Sequence, residues 1–142
     1  MIKKRFLNAF VLLLLVTGAL AQNVTTDNSF RIGRLKNGMT YYIRHNNKEK
    51  GIADFYIAQR VGSILENPDQ RGLAHFLEHM AFNGSKNFKN TDASPSIVHW
   101  CEAHGIKFGT NLNAYTSIDE TVYNVSAVPV KNAAVVDSTL LI

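Results

Sequence analysis

The chain has 142 residues, 46% of them hydrophobic, which is enough for one domain with its own core or for part of a larger domain. Its net charge of +4 is misleading, because Lys3, Lys4 and Arg5 account for three of the 15 basic residues. The other 12 basic residues stand against 11 acidic residues and form no basic stripe, which excludes the usual basis for binding nucleic acid.

Residues 1–21 have the parts of a secretory signal peptide. The basic residues Lys3 to Arg5 precede an apolar run from Phe6 to Val16, and Ala19-Leu20-Ala21 is a small-residue cleavage pattern. A membrane anchor is the alternative, but the apolar run is too short to span a bilayer comfortably. We expect cleavage after Ala21, contact with the membrane only through the signal peptide before cleavage, and an exported protein, periplasmic or secreted.

Short strands separated by turn signals are predicted next, after a polar leader over residues 22–29. Phe30–Leu35 and Thr40–Arg44 flank Asn37-Gly38, a strong hairpin signal. Residues 52–61 alternate in polarity, which predicts a strand with one apolar face. A loop over residues 62–71 then leads to the next element.

Residues 72–80 (Gly-Leu-Ala-His-Phe-Leu-Glu-His-Met) predict a helix, because they contain no proline and only one glycine, at the start. His75 and His79 are i and i+4, so both imidazoles leave the same helix face, and Glu78 lies on that side as well. Two neutral imidazoles that point one way can bind a transition metal, and zinc is the first choice. A carboxylate beside the metal can take a proton from water.

An ordinary polar helix face is the alternative reading of this histidine pair. The residues around the pair are apolar, however, and predict a largely buried helix: Leu73, Ala74, Phe76, Leu77 and Met80. Burying three ionisable groups without partners is costly, and a bound metal would satisfy all three. His-x-x-Glu-His is also the inverted zinc-protease motif.

A second helix is predicted to begin with Ser94-Pro95 as N-cap and first residue, and to end near His104 with Gly105 as its C-terminal cap. His99 and His104 are five residues apart, so they make a poor ligand pair and are expected to be structural or exposed. Cys101 is the only cysteine, and we expect a small buried apolar residue.

The last part of the chain predicts two strands and a helix. Residues 111–117 and 121–128 are β-rich with a turn near Asp119-Glu120, and an apolar helix begins at Asn132. The order of elements predicts an α+β fold, an antiparallel sheet with helices packed on one face.

Three ordered blocks resemble the start of the pitrilysin/insulinase zinc metallopeptidases. They are Gly62-Ser63 with Glu66, the motif from Gly72 through Phe82, and Asn113 to Ser117 followed by Glu120 to Tyr123. Leu35–Met39 fits the family's first hairpin. The resemblance identifies residues 30–142 as the amino-terminal part of a peptidase domain of this family, incomplete at its C-terminus.

The resemblance implies a zinc-dependent metalloendopeptidase that acts on peptides or unfolded protein. His75 and His79 would bind Zn²⁺, and Glu78 would be the general base that activates the attacking water. Asn113 and Ala114 would line the substrate strand, since an edge strand can pair with an extended peptide. An ordinary buried strand is the alternative for Asn113 to Ser117.

The resemblance also implies a third zinc ligand, a Glu, roughly 70–80 residues past the second His. Counted from His79, that position lies beyond Ile142, so we expect an amino-terminal piece of a longer protease, inactive alone and completed by downstream domains of the same polypeptide. A non-catalytic relative that binds partners, or a zinc-binding module without hydrolysis, are the alternatives.

Overall fold

The structure is a computed structural model that describes residues 27–142. The predicted signal peptide therefore lies outside the described residues, as does most of the leader. The chain divides into two compact units between Asn47 and Lys48. None of the helices in the described part is both long enough and apolar enough to cross a membrane.

The first unit contains a two-stranded antiparallel hairpin. β1 (Phe30–Arg34) pairs with β2 (Thr40–Arg44) in a continuous register. Gly38 has a φ of 90°, in the left-handed region that glycine adopts readily, and the Asn37 side chain accepts a hydrogen bond from the N–H of Met39. The predicted Asn-Gly hairpin is confirmed.

A three-stranded antiparallel sheet is the framework of the second unit. Its strands are β3 (Ile52–Gln59), β4 (Leu112–Thr116) and β5 (Thr121–Pro129), in the order β3-β5-β4. β5 is thus the central strand, and β4 is an edge strand of this sheet within residues 27–142. The turn between β4 and β5 closes with a 2.7 Å hydrogen bond from the N–H of Ser117 to the carbonyl of Glu120, as predicted.

Three α-helices accompany this sheet, α1 (Leu73–Ala81), α2 (Ile97–Ala103) and α3 (Ala133–Thr139), and the loop before α1 contains two short 3-10 helices, Ser63–Leu65 and Pro68–Gln70. The buried core draws on α2, α3, β4, β5 and the intervening loops; its residues are Phe88, Ile97, Cys101, Ile106, Leu112, Val125, Val128 and Val135. Burial raises the pKa of the Cys101 thiol to about 11, so Cys101 behaves as the predicted apolar residue. Helices and antiparallel sheet together form the predicted α+β fold.

The start of α2 differs from the prediction. Ser96 is the N-cap, because its hydroxyl group accepts a hydrogen bond from the N–H of His99 at 3.0 Å. Ser94 belongs instead to the preceding loop, where its hydroxyl group accepts a hydrogen bond from the N–H of Lys89. Pro95 therefore lies outside the helix.

The end of α2 is as predicted. Gly105 has a φ of 79°, and its N–H and that of Ile106 donate to the carbonyls of Glu102 and Cys101, which is a Schellman cap. His99 is exposed, whereas the ring of His104 stacks on Trp100 and contacts its carbonyl oxygen at 2.8 Å. Both histidines are thus structural or exposed, in agreement with the sequence.

Candidate active site

The loop before α1 lies directly against the turn that follows β4. The N–H groups of Ser63 and Ile64 donate to the carbonyls of Ser117 and Ile118, at 3.2 and 2.8 Å. Gly62 is buried there, and a Cβ atom added to it would lie 2.5 Å from both carbonyl oxygens. The glycine therefore permits a close approach of two backbone segments.

Glu66, in the same loop, precedes α1 in the sequence, and its side chain caps the amino terminus of that helix. Its two carboxylate oxygens accept hydrogen bonds from the N–H groups of Gly72 and Ala74, each at 2.8 Å. These are N–H groups that have no partner within the helix, and the negative charge interacts favourably with the helix dipole. The hydrogen bonds from Ala74 and Gly72 lower the pKa of Glu66.

Glu66→Gln is expected to lower the free energy of unfolding at neutral pH, because an amide offers one acceptor oxygen and no charge to the two N–H groups. The folded-state pKa of Glu66 is below its usual value of 4.5. The stabilisation is therefore fully present above the unfolded-state pKa and is lost as the pH falls through the folded-state pKa.

Urea denaturation of the parent and the variant should give a stability difference that is constant above about pH 5 and shrinks in more acidic solution. Glu102→Gln, an exposed change on α2, is the control and should show little difference at any pH. A loss that is the same at every pH would mean that the charge of Glu66 has no part in it.

The two histidines of α1 converge. The Nε2 atoms of His75 and His79 are 3.0 Å apart, and their ring centroids are 4.6 Å apart. Two nitrogen ligands of one tetrahedral zinc ion, each at 2.0–2.1 Å from the metal, lie about 3.3 Å apart. The spacing and the nitrogen donors therefore fit a zinc ion, and the side chain of His75 is 65% exposed and accessible to it.

Glu78 is the one buried residue of α1, with 6% of its surface exposed. Its Oε2 atom lies 3.9 Å from Nε2 of His75 and accepts a 3.1 Å hydrogen bond from the hydroxyl group of Thr116 on β4. The pKa of Tyr123 is raised, first by burial and then by the negative charge of Glu78. Glu78 thus lies beside the histidine pair, farther from His75 than His79 is.

The rest of α1 departs from the prediction of a largely buried helix. Its large apolar side chains, Leu73, Phe76, Leu77 and Met80, are between 44% and 66% exposed. The helix contacts β4 and the loop before it, and it turns the side of Ala74 and Glu78 inward. The histidines are therefore at the surface of residues 48–142, and only the carboxylate is buried.

A pocket of about 400 Å³ opens next to His75, with Glu66 and Thr116 in its walls. Asn113 is exposed and Ala114 half-buried on β4, the strand that carries Thr116. The side-chain oxygen of Asn113 accepts from the N–H of Ala114 at 2.9 Å. β4 thus places both predicted substrate residues on the same strand as the partner of Glu78.

A complete ligand set for a metal is not present among residues 27–142, where no group of three His, Cys, Asp or Glu side chains is arranged to hold an ion. Of the carboxylates later in the chain, Glu102 is exposed on α2. Glu120 is engaged elsewhere, since it accepts a 2.6 Å hydrogen bond from the hydroxyl group of Tyr115.

Two contacts of this site could not be predicted. The resemblance includes Glu66 and Thr116 in its blocks but assigns no role to either. Glu66 bonds to N–H groups six and eight residues later, and Thr116 bonds to Glu78 across 38 residues. Their only sequence signal is that polar residues occur in a loop before a helix and at the end of an edge strand.

Comparison with known proteins adds independent evidence. The model of the insulinase family (peptidase family M16) matches residues 41–139. The chain is 46% identical over 91 residues to a zinc protease PQQL-like protein of Arabidopsis thaliana, covering 64% of this chain and 9% of that protein. It is 38% identical over 122 residues to the probable zinc protease PqqL of Escherichia coli K12, covering 85% of this chain and 13% of that protein.

The fold agrees with a solved relative. The crystal structure of the first half of the periplasmic protease PqqL from Escherichia coli superposes with a TM-score of 0.74 at 33% sequence identity, covering 84% of this chain and 24% of that chain. The chain thus spans about a tenth of the length of the curated relatives that it matches. With sequence and fold in agreement, this chain belongs to the insulinase family (peptidase family M16), a family of zinc proteases.

Proposed function

We propose that the chain is the amino-terminal part of a zinc-dependent metalloendopeptidase in which His75 and His79 bind Zn²⁺ and Glu78 is the general base. The observation that carries the proposal is the convergence of two imidazole nitrogens, 3.0 Å apart, beside a buried carboxylate on the same helix. This is the combination that metal-assisted hydrolysis needs, namely neutral nitrogen ligands and a proton acceptor within one turn of helix.

Each residue has a distinct task in the proposed mechanism. A zinc ion held by His75 and His79 would supply Lewis acidity, which would make a water molecule more acidic and polarise a peptide carbonyl. Glu78 accepts the proton of the attacking water and can return it to the leaving amine. Glu78 is buried beside the histidine pair, and the cap provided by Glu66 holds the first turn of the helix that presents His75.

Substrates are proposed to bind along β4. An extended peptide can add to the exposed edge of a sheet through main-chain hydrogen bonds, and the side chains that border that edge select the substrate. Asn113 and Ala114 lie on this strand, and the strand leads to Thr116 and the pocket beside His75. Peptides and unfolded protein segments fit such a strand-like binding mode.

The remaining parts of the enzyme are proposed to come from elsewhere in the polypeptide. A third ligand, a Glu, would lie in a later helix, and downstream domains would complete the cleft. Residues 1–21 would act as a signal peptide and residues 22–29 as a leader to the peptidase domain, which begins at residue 30. Export to the periplasm or the exterior is consistent with the similarity to the periplasmic protease PqqL of Escherichia coli.

Metal analysis and cleavage of a quenched-fluorescence peptide library test the proposal, with the chain ending at Ile142 compared with the full-length protein. The full-length protein should contain zinc in stoichiometric amount and cleave peptides, and a chelator should abolish cleavage until zinc is restored. The 142-residue chain should bind zinc weakly and cleave nothing, because two histidines supply half of a tetrahedral shell.

Other outcomes separate the alternatives. A full-length protein that folds but neither binds zinc nor cleaves peptides would be a non-catalytic relative, and one that binds zinc but cleaves no peptide would be a zinc-binding module. Full activity of the 142-residue chain would place a third ligand within it, and Glu102 and Glu120 would be the first residues to replace.

A further inference from the structure

The carboxylate of Glu78, on α1, accepts a hydrogen bond from a residue of β4. Thr116, the last residue of β4, donates from Oγ1 to Oε2 of Glu78 at 3.1 Å. Glu78 is buried, so this contact is shielded from water, and a hydrogen bond to a charged group is then stronger than at the surface. One carboxylate oxygen is therefore held by the sheet.

The hydroxyl group of Thr116 also lies near a second hydroxyl group, on the neighbouring strand. Thr121, at the start of β5, is the cross-strand partner of Thr116 and is itself buried. Oγ1 of Thr121 lies 2.8 Å from the carbonyl oxygen of Val61 and 3.4 Å from Oγ1 of Thr116. A hydroxyl group has one proton to donate, and the shorter contact with Val61 takes it. Thr116 also has one proton, and its contact with the carboxylate of Glu78, at 3.1 Å, is shorter than its contact with Thr121, at 3.4 Å, so Thr116 donates to Glu78.

We infer that Thr116 is a positioning residue for Glu78, holding Oε2, the carboxylate oxygen that lies 3.9 Å from Nε2 of His75, beside the histidine pair. The inference rests on the proposed role of Glu78 as general base. Thr116 also lies in the wall of the pocket beside His75 and on the strand of Asn113 and Ala114. It therefore connects the proton acceptor to the strand along which substrate is proposed to bind, and a correctly placed base is required for efficient proton transfer.

Thr116→Val in the full-length protein tests the inference, because valine keeps the branched shape and removes the hydroxyl group. With the best-cleaved peptide of the library, kcat should fall by about 10- to 100-fold, the order expected for a hydrogen bond to a charged group. KM should change by less than about twofold, since ground-state binding is not altered. Zinc content should be unchanged.

Thr116→Ser is the rescue variant. Serine retains the hydroxyl group, so kcat should return to within about threefold of the parent value, a difference of less than one ordinary hydrogen bond. Thr139→Val is the matched control, since it removes a buried hydroxyl group that donates to the carbonyl of Val135 within α3, away from Glu78. It should lower thermal stability and leave kcat unchanged.

Parent-like kcat in Thr116→Val, or an equal loss in Thr116→Ser and Thr116→Val, would overturn the inference. Should Thr116→Val fail to fold, Thr116→Ala provides the same comparison. Glu78→Gln, measured alongside, distinguishes a failure of the general-base proposal from a failure of the role of Thr116. An active Glu78→Gln protein would show that Glu78 is not the general base. An inactive Glu78→Gln protein together with a fully active Thr116→Val protein would remove only the role of Thr116.

Discussion

Glu78→Gln in the full-length protein is expected to lower kcat by about 10²–10⁴, the contribution typical of general-base assistance, while zinc remains bound. Glutamine has nearly the same shape and keeps an oxygen that can accept the hydrogen bond of Thr116, but it cannot take up a proton at neutral pH. Glu78 is also farther from His75 than His79 is, 3.9 against 3.0 Å, which favours the role of base over that of ligand.

Cleavage of the library peptide and zinc content per chain are the two measurements that test the Glu78 prediction. Glu102→Gln makes the same chemical change at an exposed position on α2 and should leave both values at the parent level. Loss of zinc from the Glu78→Gln protein would make Glu78 a ligand, and the proposed mechanism would then be wrong.

The second large effect is expected from His79→Ala, which removes one of the two converging nitrogens. Losing an outer-shell partner of a metal ligand costs roughly 10–100-fold in affinity, and losing a ligand itself should cost more. Equilibrium dialysis against zinc should therefore show a fall in affinity of more than about 100-fold, with peptide cleavage lost in parallel. His75→Ala should behave in the same way, because both nitrogens face one point.

His99→Ala provides the control for this experiment. His99 is also on a helix but is exposed on α2 and lies apart from the histidine pair, so zinc affinity and cleavage should both persist. Parent-like zinc affinity in His79→Ala would mean that the convergence of the two rings has another cause than a metal.

Local patterns predicted most of the secondary structure. The Asn37-Gly38 turn, the helix of residues 73–81 and the hairpin of β4 and β5 depend on interactions between residues that are close in sequence, and all three form. The sequence predicts the wrong start for α2, because Ser94 and Ser96 are equally good N-caps by residue type. Ser96 caps the helix because the hydroxyl group of Ser94 already accepts a hydrogen bond from the N–H of Lys89 in the preceding loop.

The candidate site is predictable only in part, for a physical reason. The i, i+4 spacing is enough to bring His75 and His79 together, because it depends on the helix alone. Burial depends on what the helix packs against, so residue types could not show that the apolar side chains of α1 remain exposed while Glu78 is buried. The contact of Glu78 with Thr116 depends on the tertiary structure and has no counterpart in the local sequence.

The contact of the loop of Gly62 and Glu66 with the β4–β5 turn has a consequence for local unfolding. The loop is bonded to the turn through Ser63 and Ile64, and the same loop supplies the carboxylate that caps α1. Helix ends usually fray independently, but here the first turn cannot open without losing Glu66, which is anchored through its loop to the sheet. Disorder of the loop would uncap the helix just before His75, so the loop, the cap and the proposed zinc ligand His75 are expected to be ordered or lost together, as one cooperative unit.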